Sequence, residues 1–476
     1  TSGSVLFTKN GTFASAINIA AGAQVLTSGE FSVESTSDVQ NAGTFKVVGG
    51  VTTIAAVLTT NGTVLVSGGS IVAVPNFTLP NTQLQIGSGV FNFSAGNGFV
   101  YNVKSIALTG GRINVFPSSA GRQRAAGETV HVNGSVTQSS GELVLDGDMV
   151  VDGDYAFSGD VITGSGSLSV QGDLLWTGGL MSGSGSTTAL KTLTMRGGSK
   201  NIDARRIVNE GNATWWQGDV WCRNGGVFEN ALGASALING TSGSTLSLRT
   251  NDSSVCRYDN EGSLYLTSGQ LNASVYLTNA PTGYIYVCHA QLHLLQSASL
   301  HGHMYICPDA AVDFINGTVS IGSDLVVDGD GYFGNNGAVV EYNCAQNDTD
   351  TDFTLTSGTL IIWPNSTCVN APLRNLVLLG GSVIVKEAPA GFVYRFNSIQ
   401  MSNSVSVLVS PTAHVQVNSL VVSGGTLTNM FVVEANTSFV LQGGSLVGSG
   451  DYVANATFQW TGGSFGDSGS QGQVIT

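Results

Sequence analysis

The chain of 476 residues is poor in charge, and above all in basic charge. Only 10% of its residues are charged, with 17 Lys and Arg against 31 Asp and Glu, so the net charge is −14. Soluble domains average about 25% charged residues. Binding to nucleic-acid phosphates needs a basic surface, which this composition does not supply. We therefore expect no nucleic-acid partner.

Two kinds of apolar segment are also missing. The chain has no run of 18 apolar residues, so we expect no membrane insertion by this chain. No stretch shows the apolar periodicity of a helix, although 42% of the residues are hydrophobic. Apolar and polar residues alternate instead, which is the pattern of β-strands. Because the pattern is already running at Thr1, we expect a mature piece or part of a longer protein.

Glycine is abundant, with 64 residues, and it recurs at regular intervals. FSGDVITGSG begins at Phe157, and WTGGLMSGSG begins nineteen residues later at Trp176. LQGGSLVGSG at Leu441 is likewise followed, nineteen residues on, by WTGGSFGDSG at Trp460. Small-residue turns of this kind can be placed about 22 residues apart between residues 29 and 463. Such a repeat holds two or three short strands and buries its apolar face only by stacking on its neighbours.

The sequence therefore predicts an all-β fold, a parallel β-helix (β-solenoid) of about 20 or more turns of 19–23 residues. We expect one continuous solenoid over residues 1–476, with a less regular, cysteine-containing middle part at 205–370. A β-sandwich array is the alternative, but antiparallel hairpins give no reason for a fixed nineteen-residue spacing. The periodicity does not determine handedness.

The repeats resemble the right-handed parallel β-helix of pectate-lyase-like proteins and of secreted adhesins of the filamentous haemagglutinin type. The resemblance is one of pattern over nearly the whole chain, and it implies a right-handed fold more firmly than a function. It also implies ladders in which asparagine amides bond from turn to turn. The residues that stand eight positions before a turn, and so fit this role, are Asn61, Asn81, Asn133, Asn436 and Asn455.

The chain lacks the catalytic signatures of enzymes with this fold. Polygalacturonase-like members carry paired Asp residues, an Asn-Thr-Asp and an Arg-Ile-Lys motif, whereas residues 347–350 of this chain read Asn-Asp-Thr-Asp. Its basic residues are scattered, so no groove with paired carboxylates can be assembled. We assign no catalytic or cofactor-binding residue and expect no enzyme and no cofactor. A carbohydrate-active enzyme or glycan-binding β-helix is the alternative.

Two segments have ligand types that suit metals. The Asp-Gly-Asp repeats at 146–154, echoed at 328–330, could bind calcium through oxygen, but Asp-Gly is also a common turn dipeptide. Histidine and cysteine crowd between 288 and 307, as in zinc sites. Strand alternation, however, places His289 on the opposite side from Cys288. We assign no metal site.

The six cysteines fit disulfides between neighbouring turns. GYIYVCHAQL at Gly283 lies nineteen residues before GHMYICPDAA at Gly302, which stacks Cys288 on Cys307 at a distance that suits a disulfide. Cys344 with Cys368 is a second candidate pair, and Cys222 with Cys256 remains by elimination. Disulfides indicate an oxidising compartment.

The tryptophans form two groups by position. Those just before a turn, where other repeats have Phe, Met or Leu, are expected in the core: Trp176, Trp216 and Trp460. Trp215 and Trp221 are less periodic, and an exposed pair there could stack on sugar rings.

Asn-x-Ser/Thr occurs fourteen times, more often than the composition alone predicts. Glycosylation of a secreted protein is therefore expected. Asn436 and Asn455 lie one turn apart, so at most one of them should be modified. Sites away from the ladder, most of them near irregular segments, should be the occupied ones: Asn76, Asn92, Asn212, Asn251, Asn272, Asn347 and Asn365.

Together these features predict a secreted or cell-surface structural or adhesive rod protein. A subunit of a surface fibre or filament is a more specific version of this prediction. Open β-solenoid ends expose unpaired backbone groups, which favours end-to-end self-association. Other extracellular structural proteins and glycans are the further partners that we expect.

Overall fold

The computed structural model describes residues 3–35, 37, 39–55, 61–74, 79–94, 99–116, 129–241, 243–250, 255–343, 352–364, 373–466 and 474–475. These residues form strands and turns, and they contain no helix that could cross a membrane. Two compact units can be separated, residues 1–229 with 250–256 and residues 230–249 with 257–476. Each unit is a parallel β-solenoid, and the chain makes about 21 turns, which confirms the predicted fold class. Handedness and a single continuous body stay predictions.

The strands are short, and the longer ones continue around a corner of the turn. The strands that end by Arg223 are Ser4–Phe7, Gly11–Phe13, Ile17–Ile19, Gln24–Thr27, Phe31–Val33, Val39–Asn41, Thr44–Val47, Val51–Ile54, Thr63–Ala73, Leu79–Phe93, Val100–Val115, Thr129–Val132, Val136–Leu145, Asp148–Val151, Tyr155–Phe157, Val161–Thr163, Leu168–Val170, Asp173–Trp176, Gly179–Ser182, Ser186–Ala189, Thr192–Met195, Lys200–Asp203, Arg206–Asn209, Asn212–Trp215 and Val220–Arg223. The later strands are Val227–Asn230, Ser235–Asn239, Thr245–Thr250, Arg257–Asn260, Ser263–Ser274, Tyr276–Asn279, Tyr284–Val287, Ala290–Leu294, Ala298–Leu300, His303–Ile306, Ala311–Phe314, Thr318–Ile321, Val326–Asp328, Tyr332–Tyr342, Phe353–Ile362, Leu373–Leu378, Ser382–Val385, Val393–Met401, Ser406–Val409, His414–Val422, Thr426–Asn429, Val432–Leu441, Ser445–Val447, Asp451–Ala454, Thr457–Trp460, Ser464–Phe465 and Val474–Ile475.

The interior of the first unit is built from three columns of inward side chains, one from each side of the turn. Because strands pair in parallel at matching positions, like residues lie above one another about 4.8 Å apart. One column runs Phe157, Trp176, Met195 and Trp215, and all four side chains are buried. The other two columns contain the buried series Ile162, Met181, Ile202 and Met149, Leu168, Thr187, Ile207.

The second unit repeats the same arrangement. One side stacks Leu264, Ile285, Met304 and Val327, all of them buried. A second side carries Leu271, Leu292, Val312, Phe333 and Phe353, and a third carries Leu277, Ala298, Val319, Val340 and Leu360. The outward positions between them face solvent, and they are where binding or chemistry has to be sought.

Glycine is required at the tight corners between strands. Most of the predicted turn residues have positive φ, including Gly69, Gly141 and Gly444. At Gly444, with φ of 72°, a Cβ would lie 2.7 Å from the carbonyl oxygen of Gly425 in the neighbouring turn. A side chain would therefore clash with that backbone as well as strain its own, which explains the regular spacing of glycine.

Buried asparagines form an inward ladder at another corner of the second unit. Asn230 Nδ2 donates to Asn260 Oδ1 at 2.8 Å, and Asn260 Nδ2 donates to Asn279 Oδ1 at 2.6 Å. All three are at most 1% exposed. Their amides satisfy backbone carbonyls as well, for example that of Ser263 at the start of its strand, which accepts a hydrogen bond from Asn230 Nδ2. Sequence analysis missed these residues and expected others.

The expected ladder is found at only part of its predicted positions. Asn436 and Asn455 are hydrogen-bonded to each other and lie on the outer surface. Asn61, Asn81 and Asn133 are exposed. Asn81 lies within the strand Leu79–Phe93, while Asn61 and Asn133 lie in turns beside strands, so the buried ladder is made by asparagines elsewhere.

Two tryptophan predictions are wrong by one residue. The strand Asn212–Trp215 points Trp215 inward, where it is 3% exposed, and leaves Trp216 45% exposed. The prediction assigned the inward and outward positions of this strand one residue out of register, and such a shift exchanges the buried side chains with the exposed ones. Trp176 is fully buried as expected, whereas Trp460 follows the register of Leu441 but is 55% exposed.

Candidate functional site

The candidate site lies on the outer surface of the second unit, on the turns around two stacked cysteines, where tyrosines and titratable side chains cluster. Cys288 is bonded to Cys307, with Cα atoms 4.9 Å apart, and the strands that precede them pair in the predicted register. In the first unit Cys222 is bonded to Cys256, with Cα atoms 6.0 Å apart. The remaining candidate pair, Cys344 and Cys368, lies outside the described residues.

Four tyrosines cover the outward side of the strands before that disulfide. Tyr265, Tyr286 and Tyr305 occupy the same position in three successive turns, and Tyr284 stands beside Tyr286 on the middle strand. The rings of Tyr286 and Tyr305 are stacked, with centroids 5.4 Å apart and planes 7° from parallel. Tyr265 and Tyr284 lie 5.9 Å and 6.4 Å from Tyr286. We call these four side chains the tyrosine platform.

The platform is partly exposed and carries little charge. All four side chains are partly exposed, while the residues between them, such as Ile285, point into the core. Its neighbours at outward positions are His303 and Asp328, and the three strands that carry the platform contain no Lys or Arg. Burial raises the pKa of Tyr284, and the neighbouring tyrosines and Asp328 add to the effect. The phenol group of Tyr284 is therefore a neutral hydrogen-bonding group at physiological pH.

A second cluster lies on the next side of the same turns. His293 and Asp313 occupy equivalent outward positions in adjacent turns, and Gly334 follows in the next. The ring of Tyr332 lies over Gly334, with Cε1 2.7 Å from where a Cβ would stand. Gln270 Nε2 lies 2.7 Å from Nδ1 of His293. Glycine at 334 thus makes room for a tyrosine beside the histidine and the carboxyl group.

Burial shifts the two titrating groups of this cluster in opposite directions. It raises the pKa of Asp313, with the nearby His293 acting the other way. It lowers the pKa of His293, with Asp313 opposing. The Oδ1 atom of Asp313 is buried and has no hydrogen-bond partner within the described structure. A carboxyl group and an imidazole that lie side by side, with pKa values shifted in opposite directions by burial, are the kinds of group that serve as general acid and base.

Four other histidines, at 131, 289, 301 and 414, each contact one acid in a neighbouring turn. Within the described ranges, no three His, Cys, Asp or Glu side chains converge as a metal site would require. The Asp-Gly-Asp segment shows what its acids do instead. Asp148 Oδ1 accepts hydrogen bonds from the backbone and hydroxyl of Ser167, and Asp154 Oδ1 accepts one from the backbone of Asp173. These carboxylates tie one turn to the next.

A fully buried arginine stands out in the interior of the first unit. Arg205 is 0% exposed, and its five N–H groups donate to neutral oxygens. The acceptors belong to the two preceding turns and are Thr187 Oγ1 and the carbonyls of Gly164, Ser182, Gly166 and Ser186. Burial lowers the pKa of Arg205 to about 10, with Tyr155 opposing the shift. Arg205 therefore remains charged at neutral pH, and its hydrogen bonds link neighbouring turns inside the core.

The predicted glycosylation sites fall partly within the described chain. Asn212 is exposed at the start of its strand. Asn92 lies within the strand Leu79–Phe93, not in the expected loop, and its Oδ1 accepts a hydrogen bond from Asn114 at 2.6 Å. Asn272 also lies in a strand and accepts a hydrogen bond from Gln270. The sites outside the described residues are Asn76, Asn251, Asn347 and Asn365.

Sequence analysis did not identify the platform. The signal was present, because the tyrosines at 265, 284, 286 and 305 recur at the spacing of one turn on outward positions. Asp313, Tyr332 and Arg205 carried no such signal, since each looks like an ordinary residue of an alternating strand. The sugar-stacking pair suggested at Trp215 and Trp221 is not formed as such, because Trp215 points into the core.

Comparisons with protein-family models, with curated proteins and with solved structures gave no match to this chain. The likeness to pectate-lyase-like proteins and to secreted adhesins therefore rests on the repeat pattern, and the structure supports its coarser part, the parallel β-solenoid.

Proposed function

We propose that this chain is an extracellular structural protein with an adhesive role, as the sequence predicts. The observation that carries the proposal is that titratable side chains join adjacent turns. Four of the six histidines contact a carboxylate about one turn further on. These pairs are His131 with Asp152, His289 with Asp309, His301 with Asp324 and His414 with Glu434.

Covalent and interior links support the same conclusion. The disulfides join cysteines 34 and 19 residues apart in sequence, which is the distance between nearby turns. They favour an oxidising, extracellular environment. Arg205 and the buried asparagines add polar links inside a core that is mostly apolar. A scaffold needs such reinforcement, whereas an enzyme needs a few groups directed at one substrate.

End-to-end self-association is part of the proposal. A turn of a parallel solenoid presents unpaired N–H and C=O groups to whatever lies beyond it, and another solenoid turn can pair with them. Electron microscopy of native extracellular material, labelled with an antibody against this chain, tests this role. We expect the label along fibres or within an insoluble matrix. Soluble, unassembled particles confined to the cell interior would contradict the proposal.

A carbohydrate-active enzyme is the second candidate, and the unpartnered Oδ1 of Asp313 beside His293 favours it. The test is release of reducing ends from xylan, cellulose, chitin and polygalacturonate by the purified chain. Activity abolished by Asp313→Asn and kept by Asp309→Asn would establish this function. If the wild type and both variants released reducing ends only at the rate of a protein-free blank, the enzymatic function would be excluded for these substrates.

A further inference from the structure

We propose that the tyrosine platform binds a neutral polysaccharide by stacking sugar rings on Tyr286 and Tyr305. The inference rests on the proposed adhesive function and names its surface and partner. A pyranose ring has a flat C–H face and a rim of hydroxyls, so it needs an apolar plane edged by hydrogen-bonding groups. Aromatic side chains with a polar tip provide both.

The geometry supplies parallel ring faces. The rings of Tyr286 and Tyr305 differ by only 7° in orientation and are stacked with their centroids 5.4 Å apart, so they lie in two parallel planes, and both side chains remain partly exposed. The sheet beneath is rigid, because the buried Ile285, Val287, Met304 and Ile306 fix both strands from inside. The disulfide adds a covalent link directly after these strands, with Cys307 Sγ 3.6 Å from Tyr286 Oη. Rigid aromatic rings lose little entropy on binding.

The rim supplies hydrogen bonds without strong charge. His303 is exposed next to Tyr284, and Asp328 follows Tyr305 in the next turn. With no Lys or Arg on the three platform strands and Asp328 beside them in the next turn, the surface does not attract sulfated or carboxylated glycans. A neutral glycan matches this charge, and the hydroxyls of its rim can reach the phenol groups.

The tyrosines also stabilise the sheet by stacking with their neighbours across strands. The test must therefore separate binding from folding. The probes are microcrystalline cellulose, chitin and insoluble β-1,3-glucan in a pull-down assay, with polygalacturonate as the charged comparison. The variant Tyr286→Ala/Tyr305→Ala removes the stacked pair. Tyr276→Ala, an outward tyrosine on the strand Tyr276–Asn279 away from the platform, is the matched control.

We expect the wild type and Tyr276→Ala to bind at least one neutral glycan, with at least tenfold weaker binding by the double variant. If that variant does not fold, nitration by tetranitromethane is measured on the wild type, and the glycan should protect Tyr286 and Tyr305 but not Tyr276. Unchanged binding by a folded double variant, or absence of protection, overturns the platform as the site while leaving an adhesive role elsewhere. Binding to none of the neutral glycans overturns the inference, and fibre labelling then decides the structural role separately.

Discussion

Asn455 Nδ2 donates a hydrogen bond to Asn436 Oδ1 at 3.1 Å, from one turn to the next on the outer surface of the second unit. The same pattern joins Asn397 to Asn375 at 3.1 Å and Asn418 to Asn397 at 3.2 Å. Asparagines at this corner thus form an outward ladder, in addition to the buried one at Asn230, Asn260 and Asn279. In both, one amide satisfies the next, so the turns are held in register.

This ladder limits glycosylation of its two Asn-x-Ser/Thr sites. An N-linked glycan is attached at Nδ2, and Asn455 uses that atom to bond Asn436, while two glycans one turn apart would collide. We expect glycopeptide mass spectrometry of secreted protein to find at most one of Asn436 and Asn455 modified. The exposed Asn212 should be occupied. Full occupancy at both ladder positions would mean that the ladder is not formed in the folded protein.

Arg205 and Arg206 are adjacent in sequence and differ in environment. Arg205→Ala leaves several buried carbonyls without donors, so we expect a loss of about 3 kcal/mol or more in unfolding free energy. Arg206 is a surface residue that pairs with Glu229, and Arg206→Ala should cost about 1 kcal/mol or less. Denaturant unfolding of both variants measures the difference. Equal losses of unfolding free energy in the two variants would show that the guanidinium of Arg205 is not hydrogen-bonded to the interior carbonyls.

Trp215 and Trp216 form a second matched pair. Trp215→Ala empties a large space in the core column and should destabilise by about 3–5 kcal/mol. Trp216→Ala, at an exposed position, should change stability by about 0.5 kcal/mol or less. Thermal unfolding of the two variants distinguishes them. If Trp216→Ala were the more destabilising of the two, the side chain of Trp216 rather than that of Trp215 would point into the core.

Asp313 and Asp309 should respond to pH with opposite signs. Because burial raises the native pKa of Asp313, the native state holds its proton more tightly, and stability falls as pH rises through that native pKa. The hydrogen bond from His289 lowers the pKa of Asp309, so its contribution is present at neutral pH and is lost as pH falls through its native pKa.

Melting temperatures at about pH 3 and about pH 7 test these signs, since the two values bracket ordinary Asp pKa values. Relative to wild type, Asp313→Asn should gain stability on going to the higher pH, and Asp309→Asn should lose it. A common sign for the two variants would contradict the assigned environments.

The fold and the disulfide register could be predicted because both depend on period alone. A nineteen-residue spacing with alternating apolar residues fixes which side chains stack, and it placed Cys288 on Cys307 from sequence. Alternation also decides which side faces inward, but only when the strand is long enough to show it. At Trp215 and Trp216 the strand is four residues long and both candidates are aromatic, so the pattern could not choose.

The candidate site was less accessible to prediction because it depends on neighbours that are distant in sequence. The pKa of Asp313 is raised by burial among groups of adjacent turns. One of these groups is Tyr332, whose ring has room because residue 334 is glycine. The buried asparagines have a recognisable context, since Asn41, Asn209 and Asn260 each stand two residues before a glycine after an alternating strand. That signal resembles an ordinary turn, and only the inward register shows that these amides are core residues.

Non-reducing peptide mapping of the native protein tests the central claim, parallel turns stacked in an oxidising environment, most directly. We expect one linked peptide pair containing Cys288 and Cys307 and another containing Cys222 and Cys256, with none of these four thiols reacting with an alkylating reagent before reduction. Free thiols at Cys288 and Cys307, or their pairing with other cysteines, would contradict both the register of the turns and the extracellular role.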